Sequence, residues 1–167
     1  MSSKMLFWTV FSEKSITCDI NSLWNVISSP SNLDLFHPFC KKNTVVKWSK
    51  ENSIDHIEYL NGLIFQREFF EWEENKGYKL YIHQIGKPKS RVKWKINGDN
   101  HKSIINITVS PYLFNSGNKY FNMLPYHLVT RPFLLSYLES VTSGLKYYLE
   151  QGKRVTKNQY GKHIWFS

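Results

Sequence analysis

The feature that most constrains the fold is a change of hydrophobic period along the chain. From Asn43 to Pro111 apolar and polar residues alternate in short runs broken by turn residues. From Leu134 to Tyr148 the apolar positions recur every three or four residues instead. The first pattern belongs to strands with one wet face, the second to a long amphipathic helix. The strand runs are 43–49, 53–60, 63–73, 78–85, 91–96 and 103–111. Between them lie Glu51-Asn52, Asn61-Gly62, Asn75-Lys76-Gly77, Gly86-Lys87-Pro88 and Asn97-Gly98-Asp99-Asn100, so consecutive strands should form an antiparallel meander. Leu134, Leu138, Val141, Leu145 and Tyr148 make the helix stripe, which starts near Pro132 and stops at Gly152.

Ahead of the meander, residues 6–17 read as a first strand, and Asp19 or Asn21 caps a short helix carrying Leu23, Trp24 and Ile27. Ser29-Pro30 opens a second short helix that stops before His37-Pro38, because a residue preceding proline is pushed out of the helical region. Residues 118–129, interrupted by Pro125, are an insertion for which a short helix is one option. The segment 155–167 ends in His163-Ile164-Trp165-Phe166, too apolar for a free end, and is expected to pack on the body or on a second copy.

Length suits one domain over 1–167, with a core of about 6–152 and a tail at 153–167. Aromatic residues at 16% exclude a low-complexity coil. Cys18 and Cys40 make neither a disulfide framework nor a metal site, and no His/Cys cluster has zinc spacing. Without a Gly-rich phosphate loop or a Gly-x-Ser-x-Gly elbow, no cofactor is expected and no catalytic nucleophile can be named. The N-terminus lacks the ~7–15-residue apolar core of a signal peptide, and no run reaches the ~18 residues of a membrane span. We therefore expect a cytoplasmic protein, monomeric or homodimeric.

Lys and Arg number 22 against 13 Asp and Glu, a net charge of +9. The cations are dense at Lys87–Lys95 and at Lys153, Arg154, Lys157 and Lys162. Arg91, Lys93 and Lys95 alternate with Val92, Trp94 and Ile96, the signature of a solvated strand face, which argues against a nucleic-acid partner. A transient contact with an anionic membrane surface is left open.

Several segments carry a resemblance. Ile16-Thr-Cys-Asp-Ile-Asn-Ser-Leu-Trp24, Ser28-Ser-Pro-Ser-Asn-Leu-Asp-Leu-Phe-His-Pro38, Phe69-Phe-Glu-Trp72 followed by Asn75-Lys-Gly77, and the helix Tyr137–Gln151 appear in an order that resembles the START-like (SRPBCC) superfamily. The resemblance covers roughly residues 6–152. It implies an α+β helix-grip fold: a curved antiparallel sheet wrapped around a long C-terminal helix, with two short helices after the first strand. It also implies an apolar cavity between sheet and helix that holds a hydrophobic small molecule. Phe36 and His37 would stand near its opening, with Trp94, Tyr137, Val141 and Gly144 facing it.

The hairpin around Asn61-Gly62 sharpens this expectation. A two-residue type I′ loop pairs Leu60 with Leu63, Glu58 with Phe65, His56 with Arg67 and Ile54 with Phe69. The other face then sets Asp55 opposite Glu68, and two opposed carboxylates belong in water. His56, Glu58, Phe65, Arg67 and Phe69 should therefore face inward, with Glu58 as the partner that a buried Arg67 requires. This cluster would anchor a ligand's carboxylate or carbonyl, or serve as a structural ion pair. The expected function is a carrier or sensor of a lipophilic or aromatic molecule. A polyketide cyclase/dehydratase-like enzyme using Glu58, His56 and Arg67 is the alternative, and a basic protein for an anionic macromolecule or membrane surface is a second one.

Overall fold

A computed structural model describes residues 6–167. Seven strands, β1 (Val10–Ile16), β2 (Cys40–Lys47), β3 (Ile54–Tyr59), β4 (Ile64–Glu73), β5 (Gly77–His83), β6 (Ser90–Gly98) and β7 (Ser103–Ser110), form one antiparallel sheet. Its order is β1-β7-β6-β5-β4-β3-β2, so the meander runs from β2 to β7 and β1 closes on the last strand. Two short helices, α1 (Ile20–Ser28) and α2 (Leu33–Phe36), follow β1. The chain ends in α3 (Lys119–Pro125), a wide π-helical turn (Tyr126–Thr130), the long helix α4 (Arg131–Gln151) and the tail.

Local chemistry explains the boundaries. The Asp19 carboxylate caps α1 by accepting the Ser22 N–H at 2.9 Å. Gly152 closes α4 in the left-handed region, φ 65°, and donates its N–H to the Tyr148 carbonyl at 2.9 Å. Two edges differ from the sequence pattern. β1 begins at Val10 rather than residue 6 because the N–H groups of Phe7 and Trp8 are taken by the Asn115 side-chain oxygen, at 3.0 and 2.7 Å. The second helix begins at Leu33, not at Ser29-Pro30, because Ser31 turns the chain with a φ of 55°. The insertion is helical from Lys119 onward and runs without a break into α4.

α4 buries Leu134, Leu138, Val141 and Leu145 against the concave face of the sheet, as its stripe requires. The space between is filled unevenly. Towards α1, Trp24, Trp72, Phe69 and Tyr78 pack edge-to-face and stacked at ring separations of 5.1–6.4 Å, with Trp48 closing the cluster. Towards the opposite end the sheet and α4 diverge around a cavity. Gly144 lies where α4 crosses α2, and a Cβ there would collide with the Phe36 carbonyl oxygen. Its smallness therefore serves helix–helix contact, and it does not line the cavity.

Candidate functional site

The β3–β4 hairpin decides which polar groups enter the cavity. Of its two turn residues only Gly62 adopts a positive φ, 86°, whereas a type I′ loop needs both. Tyr59 donates its N–H to the Leu63 carbonyl at 2.8 Å, and Gly62 donates to the Tyr59 carbonyl at 2.9 Å, so the loop holds three residues. Against the two-residue register, each β3 residue slips by one relative to β4, and Asp55 stands opposite Arg67, His56 opposite Gln66 and Ile57 opposite Phe65. Phe65, Arg67 and Phe69 still face inward, while the inward face of β3 is Asp55, Ile57 and Tyr59. His56 and Glu58 are thus on the outer face, contrary to the sequence expectation. There His56 meets the Gln66 side chain at 3.0 Å and Glu58 accepts from Lys41 at 2.7 Å. The expected inward cluster of Glu58, His56 and Arg67 does not form.

The partner of Arg67 is Asp55. Nε donates to one carboxylate oxygen at 2.7 Å and Nη2 to the other, a bidentate pair in which both side chains are almost fully buried. Asn43 of β2 holds the same carboxylate at 3.0 Å and passes the network on to α2, since the Asn43 N–H reaches the Asp34 side chain at 2.7 Å. Burial alone would lower the Arg67 pKa, but the charge and hydrogen bonds of Asp55 raise it above its usual value. Arg67 also borders the cavity, and both of its hydrogen bonds go to Asp55, which leaves Nη1 for an occupant.

A second polar group comes from the helices. His37, the residue after α2, accepts the Phe39 N–H on Nδ1 at 3.2 Å, so its proton sits on Nε2 and is donated to the Tyr137 hydroxyl at 2.8 Å. Burial, and after it the charge of Arg67, push the His37 pKa down to about 3, which keeps the ring neutral. The Tyr137 hydroxyl in turn meets that of Tyr59 at 3.0 Å. Two hydroxyl protons share one such contact, so one O–H is left over to donate. Burial raises both phenol pKa values, so this group acts as a donor and not as an anion.

The cavity that these groups border has a volume of about 560 Å³. Apart from Ser90 and Thr130, whose hydroxyls bond the Tyr112 N–H and the Leu113 carbonyl, its walls are otherwise apolar: Ile57, Leu80, Val92, Trp94 and Ile107 from the sheet, Leu134, Leu138 and Val141 from α4. Of the sequence candidates, His37, Phe65, Arg67, Trp94, Tyr137 and Val141 line it, while Phe36 and Phe69 lie behind the wall in the packed core. Of β5, Leu80 and Ile82 face the cavity, and Tyr78 on the same face belongs to the aromatic cluster.

Two contributions go beyond the residues that the sequence nominated for the site. The two-residue register puts Tyr59 on the outer face, and the structure puts it inside. The tail packs back over the mouth, where Phe166 stacks on Tyr59 at 4.2 Å and Ile164 and Trp165 complete the wall. The Asn61 side chain donates to the Trp165 carbonyl at 2.7 Å, and His163 reaches the Phe133 carbonyl at 2.9 Å, which fixes the tail at both sides. Among the described residues no cluster of His, Cys, Asp and Glu could hold a metal ion, and no helix is long and apolar enough to cross a membrane.

No protein-family model and no curated protein sequence matches the chain. Solved structures do. DynU16, a putative protein in the dynemicin biosynthetic locus, aligns at a TM-score of 0.66 and 15% identity, covering 87% of this chain and 48% of its own, so this chain spans about half its length. TTHA0849 from Thermus thermophilus aligns at 0.65 and 12% identity, over 87% of this chain and 99% of that one. Truncated norcoclaurine synthase from Thalictrum flavum gives 0.62 and 12%, over 89% and 96%. With the strand order, the two short helices and the gripping helix α4, these alignments show that the chain has the helix-grip fold of START-like (SRPBCC-type) proteins.

Proposed function

We propose that the protein binds one lipophilic or aromatic small molecule between its sheet and α4, as a carrier or sensor. The observation that carries this reading is a largely apolar cavity of about 560 Å³ into which two buried donors are free to point, Arg67 Nη1 and one hydroxyl of the Tyr59–Tyr137 pair. The size suits a molecule of several fused or linked rings. The interior also bears on ligand charge. Asp55 neutralises Arg67 and His37 is neutral, so a buried carboxylate would have no counter-ion of its own. The favoured ligand is therefore uncharged and presents a carbonyl or hydroxyl oxygen to the two donors.

The enzyme alternative finds less support. Its expected base, His56 or Glu58, lies across the sheet, and the ring nitrogen of His37 that lacks a proton is occupied by the Phe39 N–H. A carrier needs no base, and the polar groups described suffice for it.

Native mass spectrometry of the freshly purified protein, followed by denaturing extraction, tests the reading. The expected result is a complex with one apolar molecule, or saturable uptake of an uncharged polycyclic ketone probe that quenches Trp94 and Trp165. Tyr59→Phe combined with the compensated pair Asp55→Leu and Arg67→Met should weaken that uptake by about 10–100-fold, two lost buried hydrogen bonds. No retained molecule together with no saturable uptake would overturn it.

A further inference from the structure

The cavity mouth lies at one end of the sheet, and that end has a surface unlike the rest of the molecule. The antiparallel order brings the turn 60–63, the turn 84–89, the segment 111–131 and the tail 162–166 together there. Hydrogen bonds tie them: Tyr112 N–H to the Ser90 hydroxyl at 2.9 Å, Thr130 to the Leu113 carbonyl at 3.3 Å, and Asn61 to Trp165. Most large apolar side chains exposed among the described residues are on these segments. Tyr120 is 87% exposed, Phe121 83%, Ile164 73%, Leu128 66%, Leu124 64% and Met123 52%. The opposite turns, 48–53, 74–76 and 99–102, expose none.

This protrusion is built and held. Tyr126 is fully buried and stacks on Trp8 at 4.7 Å, the Asn118 side chain caps α3 by accepting the N–H of Tyr120 at 3.0 Å, and Asn122 donates to the Ser116 carbonyl at 2.7 Å. The inner side of the helical run is thus anchored while its outer side presents bare hydrocarbon. Charge follows the same division. These segments contain Lys87, Lys89, Lys119, Arg131 and Lys162 and no Asp or Glu, with only Lys89 paired outside them among the described residues, to Glu68 of β4, whereas the opposite turns balance Lys50, Lys76 and Lys102 with Glu51, Glu74 and Asp99.

We infer that this end docks on an anionic lipid bilayer, with Tyr120, Phe121, Leu124 and Leu128 entering the interface and the cations meeting lipid phosphates and carboxylates. The charge pattern disfavours the nearest rival. A two-fold pairing of this end with a second copy would bring Lys87, Lys119, Arg131 and Lys162 against the same cations, and Glu68 is already engaged by Lys89 and His83. Tyr120 and Phe121 could stack on bases, but Ile164, Leu128, Leu124 and Met123 offer a nucleic acid neither a stacking face nor a hydrogen bond, so the patch as a whole suits hydrocarbon. The inference stands apart from the identity of any cavity ligand, although docking would press the mouth against the membrane.

Flotation of the full chain with vesicles of phosphatidylcholine alone or with about 30% phosphatidylserine tests it. The expected result is association with the anionic vesicles that weakens as salt rises. Phe121→Ser with Leu124→Ser should reduce it by about tenfold or more, and Lys119→Glu by about fivefold. Both variants change exposed residues, so their unfolding midpoints should match wild type, and cavity-probe uptake in solution should be unchanged. No association with anionic vesicles, or association that both variants leave intact, would overturn the inference. So would light scattering that shows a dimer which the double variant turns into a monomer. Vesicle binding by a protein that neither retains a molecule nor takes up the cavity probe would sink the carrier reading and leave docking in place.

Discussion

Removing the Asp55 carboxylate would leave the Arg67 guanidinium buried without its counter-ion, and removing Arg67 would do the same to Asp55. Each single change, Asp55→Ala or Arg67→Ala, should cost about 3–5 kcal/mol, because the desolvation of the survivor is no longer offset. Replacing both, as Asp55→Leu with Arg67→Met, should restore most of that stability, and urea unfolding of the three variants measures it. A double variant as unstable as the sum of the singles would contradict the account. His37 makes a prediction of a different kind. Its folded pKa of about 3 lies below the unfolded value of ~6.5, so the unfolded chain takes up the proton first as pH falls. The stability it confers is complete above ~6.5 and is lost towards pH 3, at up to about 1.4 kcal/mol per pH unit. His163 is shifted down by burial too and adds to the slope. Glu68 does not interfere: burial opposes its charge, but hydrogen bonds from Lys89, His83 and Gln66 prevail and hold it at about 2. Between pH 6.5 and 5 the decline should thus be histidine-driven, and His37→Phe should flatten it. A wild-type unfolding midpoint that does not move between pH 7 and pH 5 would refute this.

At the scale of elements, the contact between α4 and α2 depends on a missing side chain. Gly144→Ala gains about 1 kcal/mol of helix propensity but drives a methyl into the Phe36 carbonyl, and backbone cannot step aside as a flexible side chain can. A net loss of about 1–3 kcal/mol is expected by thermal unfolding, with an unchanged or raised stability as the contrary result. The tail is an element of the site in the same sense. Phe166 covers Tyr59, so Phe166→Ala should speed exchange of a cavity probe in stopped-flow fluorescence more than it weakens equilibrium uptake. These contacts mark where the sequence could be read and where it could not. The period of β4 places Phe65, Arg67 and Phe69 on one face whatever their partners, and the stripe of α4 places Leu134, Leu138 and Val141 in the same way. The face of β3 depends on one loop residue. Asn61 could have taken a left-handed conformation and closed a two-residue turn; instead its side chain accepts the Leu63 N–H at 3.2 Å and donates to the Trp165 carbonyl, a partner more than a hundred residues away. The second contact has no local signature, and with the register went His56, Glu58 and Asp55.

Across the whole molecule the same sheet and helix enclose two environments, a dry aromatic end beneath α1 and a hollow end beneath the tail. The order of elements was legible from periodicity, but the division was not, since a chain with 16% aromatics had enough rings to fill the entire space. What prevents it is placement: Trp24, Trp48, Trp72 and Tyr78 gather on the side of α1, Tyr59, Tyr137, His163 and Phe166 pack on one another where the tail meets β3, and between the two groups Leu80, Ile82, Val92, Ile107 and Val109 reach less far from the sheet. Such a molecule should not open uniformly. Exposing the dry end means separating stacked rings, which approaches global unfolding, whereas the hollow end lacks packing on one side and is held by a few hydrogen bonds such as Asn61 to Trp165. Amide exchange should therefore be slowest in β5, β6 and the second half of α4, and faster in 60–63, 84–89, 111–118 and 163–166. An uncharged ligand that fills the cavity should slow exchange in that second group and leave the first almost unchanged, because only the hollow end gains packing. Equal protection at the two ends without ligand would mean that the cavity does not weaken the fold. Uniform slowing on addition of ligand would mean that the two ends open as one unit.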